Sequence, residues 1–511
     1  LNKIQTPGAP QTILGHPDSL FVLFFTEMWE RFSYYGMRAL LVLFLVSTAS
    51  KGGWGWTREE ATSLYGWYTG LAYLTPIFGG LIADKLLGTR RSVLLGGFII
   101  AAGHICLFME TKPTFFAGLG LVILGTGLFK PNISAIVGQL YNKSNESLRD
   151  AGYTLFYMGV NSGAFFGILL CGYIGEKISW NLGFGLAGVF MILGALQFHL
   201  SQGIFGNIGG SPDSNAAAAA AAEDDTPRNV VIDRLIAIGV FSFSTIFFWF
   251  AFEQAGGSMT IFAADYTDRA LVGTAGMTFK VINSLMTVIP TVILSWLLFK
   301  LASHTVSRYP LGNALLVLAI GGIWALVLWM LNREFQMDQS EVPATWFGVL
   351  NSFFLVLLAP LFSKMWEKYW NPSGPVKFGV GLVLLGLGFG ALAYGANGIP
   401  AGAKTAQVSM MFLTLAYLLH TMGELCVSPV GLSYISKLAP ARLLGLMFGF
   451  WFLNTAIANW LAGKSGSYID HISATYSMST FFLIFTLIPI GAGLVLMMLS
   501  PWMKKKMHGV H

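Results

Sequence analysis

Apolar runs of about 20 residues, each long enough to cross a hydrocarbon core of ~30 Å, recur from one end of the chain to the other. The polar breaks between them predict fourteen spanning helices. These lie at 20–48, 60–86, 92–111, 114–141, 149–175, 180–202, 232–262, 272–302, 311–332, 343–369, 376–396, 405–437, 441–468 and 475–502. One stretch interrupts the series. Residues 203–231, GIFGNIGGSPDSNAAAAAAAEDDTPRNVV, are rich in Gly, Ser and Ala, carry an acidic patch, and read as a cytoplasmic linker. It includes an uninterrupted alanine run, Ala216–Ala222. Six spans, a linker and eight further spans predict two six-helix bundles plus two extra helices.

Composition agrees. Of 511 residues, 55% are hydrophobic and only 11% charged, with a mean hydropathy of +0.65; soluble domains carry about 25% charge. The expected class is an all-α polytopic membrane protein, and the 60 glycines suit closely packed transmembrane helices. Cys106, Cys171 and Cys426 lie in apolar segments without paired spacing and read as reduced thiols. The eight histidines show no ligand spacing, so no metal and no cofactor is expected. Residues 1–19 are polar and proline-containing, which predicts no signal peptide.

An even number of spans puts both termini on one side. If that side is the cytoplasm, the basic residues fall mainly there, including Lys85, Arg90, Arg91, Lys364, Lys368, Lys377 and Lys504–Lys506. The net charge of +6 then follows from location and implies no nucleic-acid partner.

The first span contains charges that a spanning helix ordinarily excludes. At 100° per residue, Glu27, Glu30, Arg31, Tyr34, Tyr35 and Arg38 share an arc of about 140°. Trp29, Phe32, Gly36 and Leu40 take the other side, facing lipid or packed neighbours. Glu27 precedes Arg31 by four residues, the favourable order for a helical pair. A self-neutralising salt bridge would gain little over apolar residues, and Arg38 and a spare carboxylate remain. An intramembrane ionisable cluster of this kind points to function.

Other spans repeat the pattern. Gly80-x3-Asp84-x3-Gly88-x-Arg90-Arg91, between spans two and three, resembles the loop signature of the major facilitator superfamily, where it would act as a charge-latched tight turn. Lys130 lies mid-span and is followed by Pro131, which frees a backbone carbonyl. Tyr157 and Asn161 share a helix face, while Gly159, Gly163 and Gly167 form a packing stripe. Trp249 and Glu253 lie one turn apart, as do Glu424 and Ser428. Asn351 suits either helix–helix hydrogen bonding or ligand contact, and Tyr73 and Trp451 suit either packing or a pocket wall. Buried charges from both halves suit a water-filled cavity whose opposite poles would orient a zwitterion.

Glu27-x-x-Glu30-Arg31-Phe32-x-Tyr34-Tyr35-Gly36 resembles the ExxER helix of the proton-dependent oligopeptide transporters. FKPN at Phe129–Asn132 and FYxxxNxG at Phe156–Gly163 resemble further signatures of that family, and the likeness covers nearly the whole chain. It implies a major facilitator fold, alternating access, and proton-driven uptake of di- and tripeptides across the bacterial inner membrane, by a monomer in contact with membrane lipids. By the same likeness, Arg38 and Lys130 would hold the peptide carboxylate, and Glu424 with Asn161 and Asn351 the amino end. Tyr35, Tyr73 and Tyr157 would line the pocket, joined by Ser428, with Trp249 and Trp451 as apolar walls. Glu27, Glu30 and Arg31 would couple protons, and Glu253 would pair with Lys130 or Arg38 as a gate.

Two departures from the family pattern stand out. Gly66 occupies the place of a histidine found in mammalian members, so coupling would run through carboxylates. The extra helices fall at about 272–332, after the Trp249–Glu253 span rather than before it. The expected organisation is an N-terminal bundle over 1–202, a linker over 203–231, a C-terminal bundle with the extra pair over 232–502, and a cytoplasmic tail over 503–511. Carriage of nitrate or another small anion is the alternative within the family, although Glu424 would then be an unneeded negative charge. An embedded enzyme is not expected, because no metal motif, GxSxG or His/Asp pairing is present.

Overall fold

In the computed structural model the described residues are 12–141, 148–210, 227–440 and 443–510. The Ala216–Ala222 run and most of the expected linker lie outside them. The chain is almost entirely helical: α1 (Asp18–Val46), α2 (Arg58–Ile82), α3 (Thr89–Phe108), α4 (Lys112–Gln139), α5 (Arg149–Lys177) and α6 (Trp180–Ser201) precede the linker. After it come α7 (Arg228–Phe252), α8 (Ser258–Asp265), α9 (Gly273–Thr305), α10 (Pro310–Gln336), α11 (Val349–Lys368) and α12 (Gly374–Gly395). The series closes with α13 (Met410–Leu438), α14 (Leu444–Gly466), α15 (Ile469–Thr475) and α16 (Met478–Lys506). Among the described residues, thirteen helical segments are long and apolar enough to cross a membrane. Helix α1, 29 residues long and carrying Glu27, Glu30, Arg31 and Arg38, is not among them; counted with them, it brings the number to the fourteen expected spans.

Contacts divide the chain into two compact units. The first comprises Leu1–Met37, Phe78–Pro212 and Ala270–Val342; the second comprises Arg38–Ile77, Asp213–Arg269 and Pro343–His511.

In the first unit, α1 is enclosed by protein. Trp29 and Phe32 are fully buried, and Trp29 stacks on Phe190 of α6 at 5.2 Å between ring centroids. The apolar side of α1 therefore meets packed neighbours rather than lipid. The glycine stripe of α5 makes this closeness possible. A β-carbon at Gly159, Gly163 or Gly167 would meet, in turn, the carbonyls of Phe24, Met28 and Phe32, one turn of α1 apart. Pro131 removes the donor for the Gly127 carbonyl. That carbonyl lies against Gly79 of α2, and Asn132 Nδ2 donates to Leu128 O at 2.7 Å.

The signature loop between α2 and α3 is latched by backbone. Ala83–Leu87 form a π-helical turn, and Gly88 follows with φ 77°, a conformation that favours glycine. A side chain there would strike the Gly210 carbonyl; Arg90 N donates to Gly209 O at 2.9 Å and Arg90 Nη1 to Gln202 O at 3.3 Å. The arginine of the motif thus meets carbonyls, and residues 203–210, expected to be linker, pack on this turn.

Contacts also group Ala270–Val342, which holds the extra helices α9 and α10, with the first unit, whereas the sequence suggested the C-terminal bundle. A short antiparallel pairing of Ala270–Leu271 with Ser340–Glu341 closes the base of this hairpin. Its sides are held by Gly312 against Ser201 and by Tyr173 Oη donating to the buried Glu334 Oε1 at 2.6 Å.

In the second unit, Gly66 of α2 and Gly463 of α14 bring their backbones together so closely that a β-carbon on either would strike the other. The single span expected at 232–262 is broken. Helix α7 stops at Phe252, Glu253–Gly256 form a 3-10 turn, and α8 resumes at Ser258. At the other end α16 runs to Lys506, beyond the expected start of the tail. Met503 and Met507 are fully buried there, and Lys506 Nζ reaches Asp233 Oδ1 of α7 at 2.6 Å.

Candidate functional site

The charged face of α1 is divided between the two units. In the first, Arg31 Nε lies 3.0 Å from Glu27 Oε1 and 2.5 Å from Glu30 Oε2. All three side chains are buried, and the Lys130 charge lies within electrostatic reach of both carboxylates. Two carboxylates facing one guanidinium leave a negative charge that the second cation or a proton must balance. Burial in low dielectric makes that balance strict.

In the second unit, Arg38 pairs with Glu253 through Nη2 and Oε2. Arg38 is one of the two partners expected for Glu253. Arg38 Nε also donates to Tyr65 Oη at 2.5 Å, and Tyr65 Oη donates to Glu253 Oε2 at 3.4 Å. The break between α7 and α8 aims Glu253, which opens the 3-10 turn. Gln254 beside it fixes the turn to α14, donating from Nε2 to Ala462 O at 2.9 Å and Ser465 Oγ at 3.1 Å. Gly256 leaves room for the Tyr65 ring, which a β-carbon would strike. Discontinuous helices of this kind occur where a spanning segment serves a site.

A second polar group in that unit joins α11 and α13. Asn351 Nδ2 donates to Glu424 Oε2 at 2.9 Å and to Thr421 Oγ1 at 3.1 Å. Thr421 is fully buried, Glu424 buried and Asn351 half-buried.

The other expected site residues are distributed as follows. In the first unit, Tyr35 is half-buried, edge-on to Tyr34; Tyr157 is exposed; and Asn161 is buried, donating from Nδ2 to the Tyr157 carbonyl at 2.9 Å. In the second, Tyr73 is half-buried, Trp249 sits edge-on to Phe252, Ser428 is half-buried, and the buried Trp451 ring lies on Gly431.

Sequence reasoning missed Tyr65, Gln254 and Thr421, and also Arg58. Arg58 Nη2 reaches Asp265 Oδ2 at 2.6 Å, Nη1 reaches Asp470 Oδ1 at 2.7 Å, and Nη1 donates to Tyr266 Oη at 2.9 Å. Burial pushes the Tyr266 phenol up, opposed by the Arg58 charge. The available signal was the spacing Arg58, Thr62, Tyr65, Thr69 along one face of α2. Among the described residues no cluster of three or more His, Cys, Asp or Glu could hold a metal ion.

A model of the POT family (PTR2) matches residues 90–222 and 316–480. The chain is 36% identical to an uncharacterized transporter of Bacillus subtilis, across 100% of this chain and 99% of the relative. It is 32% identical to a peptide transporter of Yersinia enterocolitica, covering 91% and 90%, and 33% identical to a di-/tripeptide transporter of Lactococcus lactis, covering 89% and 88%. Among solved structures, the peptide transporter POT in complex with sulfate aligns with a TM-score of 0.76 at 29% identity, covering 98% of each chain. A POT family transporter in complex with 5-aminolevulinic acid gives 0.76 at 26% identity, covering 97% of this chain and 98% of the other.

Proposed function

The chain belongs to the POT family of membrane transporters, and on that premise we propose that it is a proton-coupled symporter importing di- and tripeptides by alternating access. Relatives named as a peptide transporter and a di-/tripeptide transporter, similar over most of their length, support the substrate class. The observation that carries the reading is the pairing of every buried acid of the proposed machinery with a group that can compete for it. Glu27 and Glu30 share Arg31, Glu253 shares Arg38 with Tyr65, and Glu424 is held by Asn351. A proton on Glu27 or Glu30 would loosen Arg31, and a substrate carboxylate would compete with Glu253 for Arg38. Proton and peptide would then bias the same equilibrium, and a tenfold mutual effect corresponds to about 1.4 kcal/mol of coupling.

In this reading Arg38 and Lys130 take the peptide carboxylate, and Glu424, Asn351 and Asn161 the amino end. Tyr35, Tyr73, Tyr157, Ser428, Trp249 and Trp451 line the path. The protein is an integral membrane protein. Its proposed place is the bacterial inner membrane, with both termini cytoplasmic on the distribution of basic residues. It is proposed to work as a monomer, without a cofactor or enzymatic activity.

The test is uptake of a labelled peptide panel into proteoliposomes under an imposed pH gradient. Accumulation of di- and tripeptides that collapses with the gradient supports the reading, and gradient-independent equilibration overturns symport. Competition between labelled dialanine and nitrate bears on substrate class, since Glu424 would repel an anion; displacement by nitrate alone would overturn the peptide assignment.

A further inference from the structure

The contact between α11 and α13 holds a constraint that neither Asn351 nor Glu424 supplies. Thr421 Oγ1 donates its single proton to the Tyr417 carbonyl, at 2.7 Å, one turn back on its own helix. That hydroxyl is fully buried, so its remaining capacity is to accept. Asn351 lies 3.1 Å away and must therefore present its amide nitrogen. The same nitrogen donates to Glu424 Oε2 at 2.9 Å. A flipped amide would set Oδ1 against a threonine lone pair and a carboxylate oxygen, two repulsions at once. The orientation thus follows from donor and acceptor chemistry. Among the described residues no hydrogen bond engages Asn351 Oδ1 or Glu424 Oε1, which leaves two acceptors for a donor with several protons.

Glu424 by itself would not keep this arrangement. A protonated carboxyl can donate, and could then turn the amide oxygen toward itself. Thr421 cannot, because its proton is committed to Tyr417.

We propose that Thr421 is a positioning residue for an ammonium subsite, holding the Asn351 amide so that Oδ1 and Glu424 Oε1 both face the amino end of the substrate whatever the protonation of Glu424. The proposal rests on the reading of Asn351 and Glu424 as the amino-end pair. It names a specificity determinant that touches no substrate itself.

The experiment compares competition against labelled dialanine counterflow by unlabelled dialanine and by its des-amino analogue, propionyl-alanine. Counterflow needs no pH gradient, so proton coupling does not enter. The wild type is expected to prefer dialanine by about tenfold or more, the scale of a hydrogen bond to a charged group. Thr421→Val, nearly isosteric but without the acceptor, is expected to lose most of that preference through a raised KM for dialanine with turnover little changed. Thr421→Ser is expected to restore it. If the valine variant does not accumulate in the membrane, Thr421→Ala removes the same acceptor. A wild type without preference for the free amine overturns the amino-end reading itself. A valine or alanine variant with the wild-type preference, or one that loses affinity for both ligands equally, overturns the role of Thr421 and leaves the amino-end reading standing.

Discussion

Arg38 and Glu253, 215 residues apart in the chain, form a buried ion pair whose guanidinium also donates from Nε to the Tyr65 phenol oxygen. Their exposures of 9% and 3% mean that neither charge has water to fall back on. Removing one partner strands the other. Glu253→Ala is expected to cost about 3–5 kcal/mol of stability, whereas Arg38→Leu combined with Glu253→Leu should recover most of the loss. Chemical denaturation of the purified protein in detergent measures both. Additive losses in the double variant would show that the two charges do not depend on each other.

Tyr65 completes that pair and is exposed to only 1%. Tyr65→Phe keeps the ring on Gly256 and deletes only the hydroxyl that Arg38 Nε faces. The expected cost is about 1.5–3 kcal/mol, the range for a hydrogen bond to a charged group. Because the guanidinium loses an anchor, the apparent KM for peptide should change as well. A melting temperature and KM both equal to wild type would remove Tyr65 from the site.

Gly66 has no room for a side chain. Its α-carbon lies against the backbone of Gly463, so any side chain must push α14 away. Gly66→Ala is expected to destabilise by about 1–3 kcal/mol through overpacking, and Gly66→His by more. Gly463→Ala should do the same from the other helix. Normal stability in Gly66→His would mean that the helices separate readily at this point.

Glu27→Gln keeps the shape of the side chain and removes its ability to exchange a proton. The expected result is loss of pH-driven accumulation with counterflow of labelled peptide retained. Proteoliposomes measured in both modes decide it, and undiminished pH-driven uptake would exclude Glu27 from coupling.

Outside the spans, His16 Nδ1 lies 2.8 Å from Tyr141 Oη and ties the turn before α1 to the end of α4. Burial holds the imidazole below its ordinary value and pushes the phenol up to about 12. A lowered histidine in the folded state means that the unfolded chain binds more protons on acidification. The contribution is full above roughly pH 6.5 and is lost as pH falls through the lowered value. The amide protection factors of residues 12–16, exchange measured against the intrinsic rate at each pH, should therefore fall between neutral and mildly acidic pH. His16→Gln should flatten that dependence.

Much of this was legible in one dimension. The glycine stripe on α5 and the charged arc on α1 each lie within one helix, where 3.6-residue periodicity alone sets which side chains share a face. The Glu27–Arg31 pair follows from the same rule. Tyr65, Gln254 and Thr421 carried no such mark, because each takes its meaning from a partner on another helix. The backbone partners of the signature loop carried no mark for the same reason. Arg90 meets carbonyls of residues after α6, and a sequence shows charges but not exposed backbone oxygens.

The sequence by itself determined the helices, their apolar lengths and the buried charges among them, since local periodicity and the penalty for charge in hydrocarbon act residue by residue. Tertiary structure decided the pairings. It matched Glu253 to Arg38, broke the span at Glu253 to aim the carboxylate, grouped the extra helices with the first unit, and oriented Asn351 through Thr421. Those choices depend on which surfaces close on one another and which donors are already committed, and neither is written in any single stretch of the chain.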